Sequence, residues 1–175
     1  MADDIPDHTQ FDSLRKALDD AARRVGTTLD EVLPAPEGLY ARVPEAMRYA
    51  VFAGGKRLRP FLTLAGAALF DAPEAQALRV AAAIECLHTY SLIHDDLPCM
   101  DDDDLRRGRP TSHKVYGEGI AVLAGDGLLT VAFEILSKAE PTARFKTHAL
   151  ISELATASGS KWLIGGQVAD LEGEG

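Results

Sequence analysis

Residues 74–108 read EAQALRVAAAIECLHTYSLIHDDLPCMDDDDLRRG, and this stretch decides the fold. Ala81, Ala82, Ala83, Ile84, Leu87, Leu92 and Ile93 make the first part apolar, without an internal glycine or proline, which predicts one long helix over 74–96. Pro98 ends or distorts it. The helix closes on Asp95 and Asp96, and Asp101 to Asp104 and the pair Arg106-Arg107 follow. An acidic run is often only a solvated face. Two features count against that reading here. Asp95 and Asp96 end an otherwise apolar helix, so at least one carboxylate is expected to border the interior. Pro98 also turns the chain, which would bring Asp101 back toward Asp95.

Carboxylates crowded in this way repel and raise one another's pKa, and a bound divalent cation removes that cost. Hard oxygen ligands suit Mg²⁺, which prefers a few carboxylates plus substrate phosphates to a closed protein cage. The ligand, glycine and closing-glutamate spacing of an EF-hand is missing. Ile84, His88, Ser91 and Asp95 step by four, three and four residues and so share one helical face. His88 thus sits about two turns below Asp95, as either a packed core histidine or part of the same site.

Outward from this segment the pattern stays helical. The expected helices cover 7–25 (closed by Gly26), Arg42 to Ala53, Pro60 to Phe70, Ile120 to Lys138 and about 142–171. Residues 30–40 and 101–118 are expected as loops, and no strand-like alternation or repeat stands out. The composition agrees. The chain has 175 residues, 46% hydrophobic and only 6% aromatic, with alanine and leucine dominant. The reading is all-α, one domain over residues 1–175.

The formal net charge of −9 argues against a nucleic-acid surface. An acidic chain can still bind anionic diphosphates if divalent cations lie between them. Cys86 and Cys99 form neither a zinc spacing nor a disulfide framework. The start lacks the basic and apolar regions of a secretory signal, and no uninterrupted apolar run has the length of a membrane span. A soluble, reducing, cytoplasmic setting is therefore expected.

A second cluster, Gly54-Gly55-Lys56-Arg57-Leu58-Arg59-Pro60, sets three cations beside a flexible glycine pair. It reads either as an exposed helix end or as an anion site, with arginine and lysine on a diphosphate. It is not a Walker loop, because the spaced glycines and the Lys-Ser/Thr pair are lacking. Arg106-Arg107 makes another cationic spot beside the aspartates, which surface salt bridging would explain equally well.

Taken together, Gly54 to Pro60, His88, Asp95-Asp96 with Asp101, and Arg106-Arg107-Gly108 resemble the trans-prenyl diphosphate synthases, especially short-chain bacterial farnesyl and geranylgeranyl synthases. Gly165-Gly166-Gln167-Val168-Ala169-Asp170 is similar to a further family segment, and the resemblance covers roughly residues 40–175. It implies an antiparallel helical bundle of the isoprenoid synthase type around one deep cavity, usually in a homodimer. By resemblance, Asp95 and Asp101 would hold Mg²⁺ on an allylic diphosphate, with Asp96 supporting the catalytic site. Lys56, Arg59, His88 and Arg107 would bind isopentenyl diphosphate, and Arg106 the allylic diphosphate. Gln167 would line the substrate cavity, and Asp170 would support its helix. Tyr90 and Ser91 occupy the chain-length positions. Ideal helical geometry puts Ser91, not Tyr90, on the Asp95 face, while the resemblance makes Tyr90 the floor and favours a fifteen-carbon farnesyl product over geranylgeranyl.

The sequence also departs from the family. A second aspartate-rich motif has no counterpart between Asp104 and Gly175, where only Asp126 and Asp170 occur. The family's Lys-Thr pair has none either, since Lys146-Thr147 lies too early. The expectation is an incomplete, amino-terminal part of a synthase, inactive alone, with a natural non-catalytic short subunit as the alternative. A terpene cyclase would share the metal chemistry but has no use for Gly54 to Arg59 and His88. A helical interaction protein would explain the composition but not the spacing of these residues.

Overall fold

The structure, a computed structural model, describes residues 8–141 and 145–173. The expected starts of the first helix at residue 7 and of the last at 142 lie outside these residues. Eight helices and one two-stranded hairpin are present among those described. They are α1 (His8–Val32), α2 (Arg42–Val51), α3 (Leu58–Leu69), α4 (Glu74–Asp95), α5 (Ser112–Tyr116), α6 (Glu118–Ser137), α7 (Thr147–Ser158) and α8 (Leu163–Gly173). Strands β1 (Leu105–Arg106) and β2 (Arg109–Pro110) pair antiparallel. The all-α reading holds.

α4 is the centre of the core. Ala81, Ala82, Ala83 and Cys86 have no exposed surface, and Leu87, Tyr90 and Ile93 are buried beside them. Its small alanines let neighbours approach closely, and it packs most extensively on α6 and then on α3. α6 answers with Ala121, Ala124, Leu128, Ala132, Ile135 and Leu136, all buried. α2 lies on α6, and α1 lies on α3 and α4. The predicted stripe on α4 is real. Ile84, His88, Ser91 and Asp95 are all half-buried, in a helix otherwise largely enclosed over that length.

Three boundaries differ from the sequence reading. Gly26 does not close α1, because Ala21, Val25 and Leu29 form a buried stripe that continues through it to Leu33. Burial of those side chains outweighs a glycine penalty of about 1 kcal/mol. Residues 101–118 hold β1, β2 and α5 rather than loop alone. Arg107 (φ 56°) and Gly108 (φ 75°) make the two-residue turn with both φ positive that suits a tight hairpin. The last expected helix is broken at Gly159, whose backbone is extended, into α7 and α8.

α6 is also long and apolar enough to cross a membrane, with a mean hydropathy of 1.8 over its most apolar stretch. The sequence count missed it because Asp126 and Glu134 interrupt the apolar run. One face of it is buried on α4 and α2, while Val122 and Leu123 are exposed. α8 has no buried residue, and Trp162, Ile164, Val168 and Leu171 are exposed on or beside it.

Candidate active site

The last turn of α4 and the segment after it fold into a compact knot. Met100 and Asp102 donate backbone hydrogen bonds to the Leu97 carbonyl, at 2.8 and 3.1 Å. The Asp101 amide bonds the Asp95 carbonyl at 2.8 Å, so the chain does return on itself after Pro98. Asp96 is the carboxylate that faces the interior, only 4% exposed. Arg106 holds it through Nε at 2.6 Å and Nη2 at 2.5 Å, and lies 3.5 Å from Asp103. Asp95 is half-buried, and Gln167 Nε2 on α8 donates to its Oδ1. Asp101 is exposed. Burial, followed by the Asp101 charge, raises the Asp95 carboxyl above its ordinary value.

The three aspartates have different surroundings. Asp96 is ion-paired with Arg106, whereas Asp95 takes its hydrogen bond from neutral Gln167 and is disfavoured as a carboxylate by burial and by the Asp101 charge. An all-oxygen donor set with unrelieved repulsion fits a hard divalent cation. A separate group, Asp102, Asp104 and His113, brings one ligand atom from each within 4.8 Å. Lys114 is ion-paired with Asp104 at 2.6 Å, and His113 Nδ1 lies 3.2 Å from the Thr111 hydroxyl, while its Nε2 is buried without a hydrogen-bond partner among the described residues.

The second cluster forms an open cleft of about 330 Å³, lined by Gly55, Lys56, Arg57, Arg59, Glu85, His88 and Arg107 among others. The hairpin explains how Arg107 arrives there. The turn sends Arg106 to Asp96 and Arg107 back across the glycine pair, where its guanidinium bonds the Gly54 carbonyl. A methyl group at Gly55 would lie 2.2 Å from Arg107 Nη1, so the missing side chain is the seat of that guanidinium. Arg59 Nη1 lies 3.3 Å from His88 Nε2. Burial, and then the Arg59 charge, lowers the His88 pKa, so its ring is neutral at neutral pH.

Of the three cations in the basic loop, Arg57 is not free for a ligand. It is buried, in the left-handed region at φ 49°, and ion-paired with buried Glu85 while bonding the Val51 carbonyl. It anchors the loop to α4, leaving Lys56 and Arg59 to the cleft. Sequence reasoning missed Glu85, although an acid at the centre of an apolar helix was the available signal. Ser91 turns its hydroxyl back to the His88 carbonyl at 2.9 Å. Tyr90 is buried and edge-on to His94, with ring centroids 5.2 Å apart. Asp170 is exposed. Cys86 is fully buried, which pushes its thiol up to about 12, so it offers no nucleophile.

The chain matches the polyprenyl synthetase family over residues 41–175. It belongs to that family. It is 48% identical over 168 residues to the farnesyl diphosphate synthase of Geobacillus stearothermophilus, covering 93% of this chain and 55% of that protein. It is 50% identical over 157 residues to heterodimeric geranylgeranyl pyrophosphate synthase large subunit 1 of Arabidopsis thaliana, covering 88% of this chain and 42% of that one. Among solved structures, an FPP/GFPP synthase of Zymomonas mobilis superposes with a TM-score of 0.86 at 49% identity, covering 93% of this chain and 59% of its own. The isoprenoid-synthase helical fold expected from sequence is thus present. The chain spans about half the length of the curated relatives it matches. Farnesyl and geranylgeranyl synthases both occur among them, so family membership leaves the product open.

Proposed function

We propose that this chain supplies the diphosphate-binding part of a Mg²⁺-dependent prenyltransferase domain that condenses isopentenyl diphosphate with dimethylallyl or geranyl diphosphate to give farnesyl diphosphate. One observation carries the reading. α4 joins a cationic cleft at His88 to a carboxylate site at Asp95, two turns apart on one face. Two anionic substrates with different needs fit those two ends.

Lys56, Arg59, His88 and Arg107 bind and orient the isopentenyl diphosphate. The neutral His88 ring adds a hydrogen bond without adding repulsion to the arginines. Asp95 and Asp101 would hold Mg²⁺, which when bound supplies charge stabilisation to a departing diphosphate. Asp96 and Arg106 fix the end of α4, and Gln167 orients Asp95. The allylic carbon–oxygen bond breaks to leave an allyl cation and diphosphate, the five-carbon alkene then bonds to that cation, and the proton lost afterwards goes to the released diphosphate. Tyr90 floors the chain-length cavity. Catalysis in this reading rests on electrostatics and water exclusion.

The domain acts as a homodimer in the cytoplasm, and the 175-residue chain alone is inactive for want of the second aspartate-rich motif. In a complete synthase carrying this chain, Asp95→Ala combined with Asp101→Ala abolishes consumption of isopentenyl diphosphate; undiminished condensation would sink the reading. Tyr90→Ala lengthens the products, and an unchanged profile would defeat the farnesyl assignment.

A further inference from the structure

Gly125 lies inside α6, where glycine costs about 1 kcal/mol relative to alanine. Its neighbour explains it. A Cβ built there would lie 2.2 Å from His94 Nε2 and 2.5 Å from His94 Cδ2, well inside any real contact. An imidazole is rigid, so it can yield only by rotating away. His94 fills this notch in a defined way. Its Nε2 lies 3.1 Å from the Val122 carbonyl, which can only accept, so the ring donates from Nε2. The Asp126 carboxylate lies 3.9 Å away. On its other side the ring meets Tyr90 edge-on at an interplanar angle of 82°. Residue 94 directly precedes Asp95, and Tyr90 is one turn earlier.

We infer that the Gly125 notch and His94 are the positioning device that sets product length, by pinning the Tyr90 ring at the depth where chain growth stops. The inference rests on the proposed prenyltransferase function and names residues to which the motif reading assigned no role. The order of causes is physical. The notch on α6 admits His94, the Val122 hydrogen bond fixes its plane, and that plane supports the edge of Tyr90. The Tyr90 phenol is held above its ordinary pKa, first by burial and then by Asp95 and Asp126, which agrees with a ring fixed between α4 and α6. Without the notch the imidazole swings out, Tyr90 loses its support, and the cavity deepens.

Two measurements test this. In the 175-residue chain, nuclear Overhauser contacts between the Tyr90 and His94 rings are present in the unsubstituted protein and lost in Gly125→Ala, with helical circular dichroism retained. In a complete synthase carrying this chain, Gly125→Ala and His94→Ala each move the main product longer by at least one five-carbon unit. The double variant matches His94→Ala alone, because no imidazole remains to be displaced. A merely structural role would lower turnover and leave product length unchanged. Ring contacts that survive Gly125→Ala, unaltered product length, or additive effects in the double variant overturn the inference while the proposed function stands. A complete unsubstituted synthase that fails to consume isopentenyl diphosphate overturns both.

Discussion

Gln167, near the middle of α8, donates a hydrogen bond to the Oδ1 of Asp95, the last residue of α4, across 72 positions of sequence. α8 buries no residue of its own, so this contact is its clearest tie to the site. It favours the charged form of a carboxyl that burial and Asp101 push the other way.

Gln167→Ala therefore weakens Mg²⁺-dependent pyrophosphate binding. The loss of one hydrogen bond to a charged group, about 1.5 kcal/mol, corresponds to roughly tenfold in affinity. Because the cation needs Asp95 ionised, affinity falls as pH drops through the raised Asp95 pKa. The substitution moves that fall to higher pH. Isothermal titration calorimetry across mildly acidic pH reads both effects, and an unshifted profile would contradict the role of Gln167.

Removing Gly55's open space is expected to cost the cleft a cation. Gly55→Ala drives the Arg107 guanidinium from its seat, where a Cβ would stand 2.2 Å away. Pyrophosphate affinity in the absence of Mg²⁺ then falls to about the level of Arg107→Met, roughly tenfold below the unsubstituted chain for one charged hydrogen bond. Equal binding by Gly55→Ala and the parent would show that Arg107 is not held there.

The Glu85–Arg57 pair is a stability matter. Glu85→Ala strands a buried guanidinium and should destabilise the chain by about 3 kcal/mol in urea unfolding. Replacing both residues by methionine recovers most of that loss, since the penalty belongs to the uncompensated charge. A single variant no worse than the double would rule this out.

His88 sets a second pH dependence, this one of stability. Its folded pKa lies below the ordinary value of about 6.5, so below neutrality the unfolded chain takes up the proton more readily. The stabilisation from the neutral ring is complete above that value and is lost as pH falls from it through the depressed folded pKa. Imidazole NMR titration should give His88 a pKa that Arg59→Met raises, since Arg59 is the largest cause after burial. No change on removing Arg59 would break the link.

What the sequence alone determined was local or periodic. Alanine- and leucine-rich helices, the half-buried stripe from Ile84 to Asp95, and the two charged clusters all follow from spacing along one element. Even the return of Asp101 to Asp95 could be expected from Pro98, because only a few residues separate them. The tertiary structure decided whatever depended on a competing partner far away in the chain. It read α1 through Gly26, because a buried stripe outweighs one glycine. It took Arg57 from ligand duty by giving it Glu85, and gave Asp96 to Arg106 while leaving Asp95 half-buried beside Asp101. It also set Gln167 on Asp95 and His94 in the notch of Gly125. Identical residue types received different roles in these cases, since a charge or a ring takes its function from what is packed against it, and that packing has no period to read.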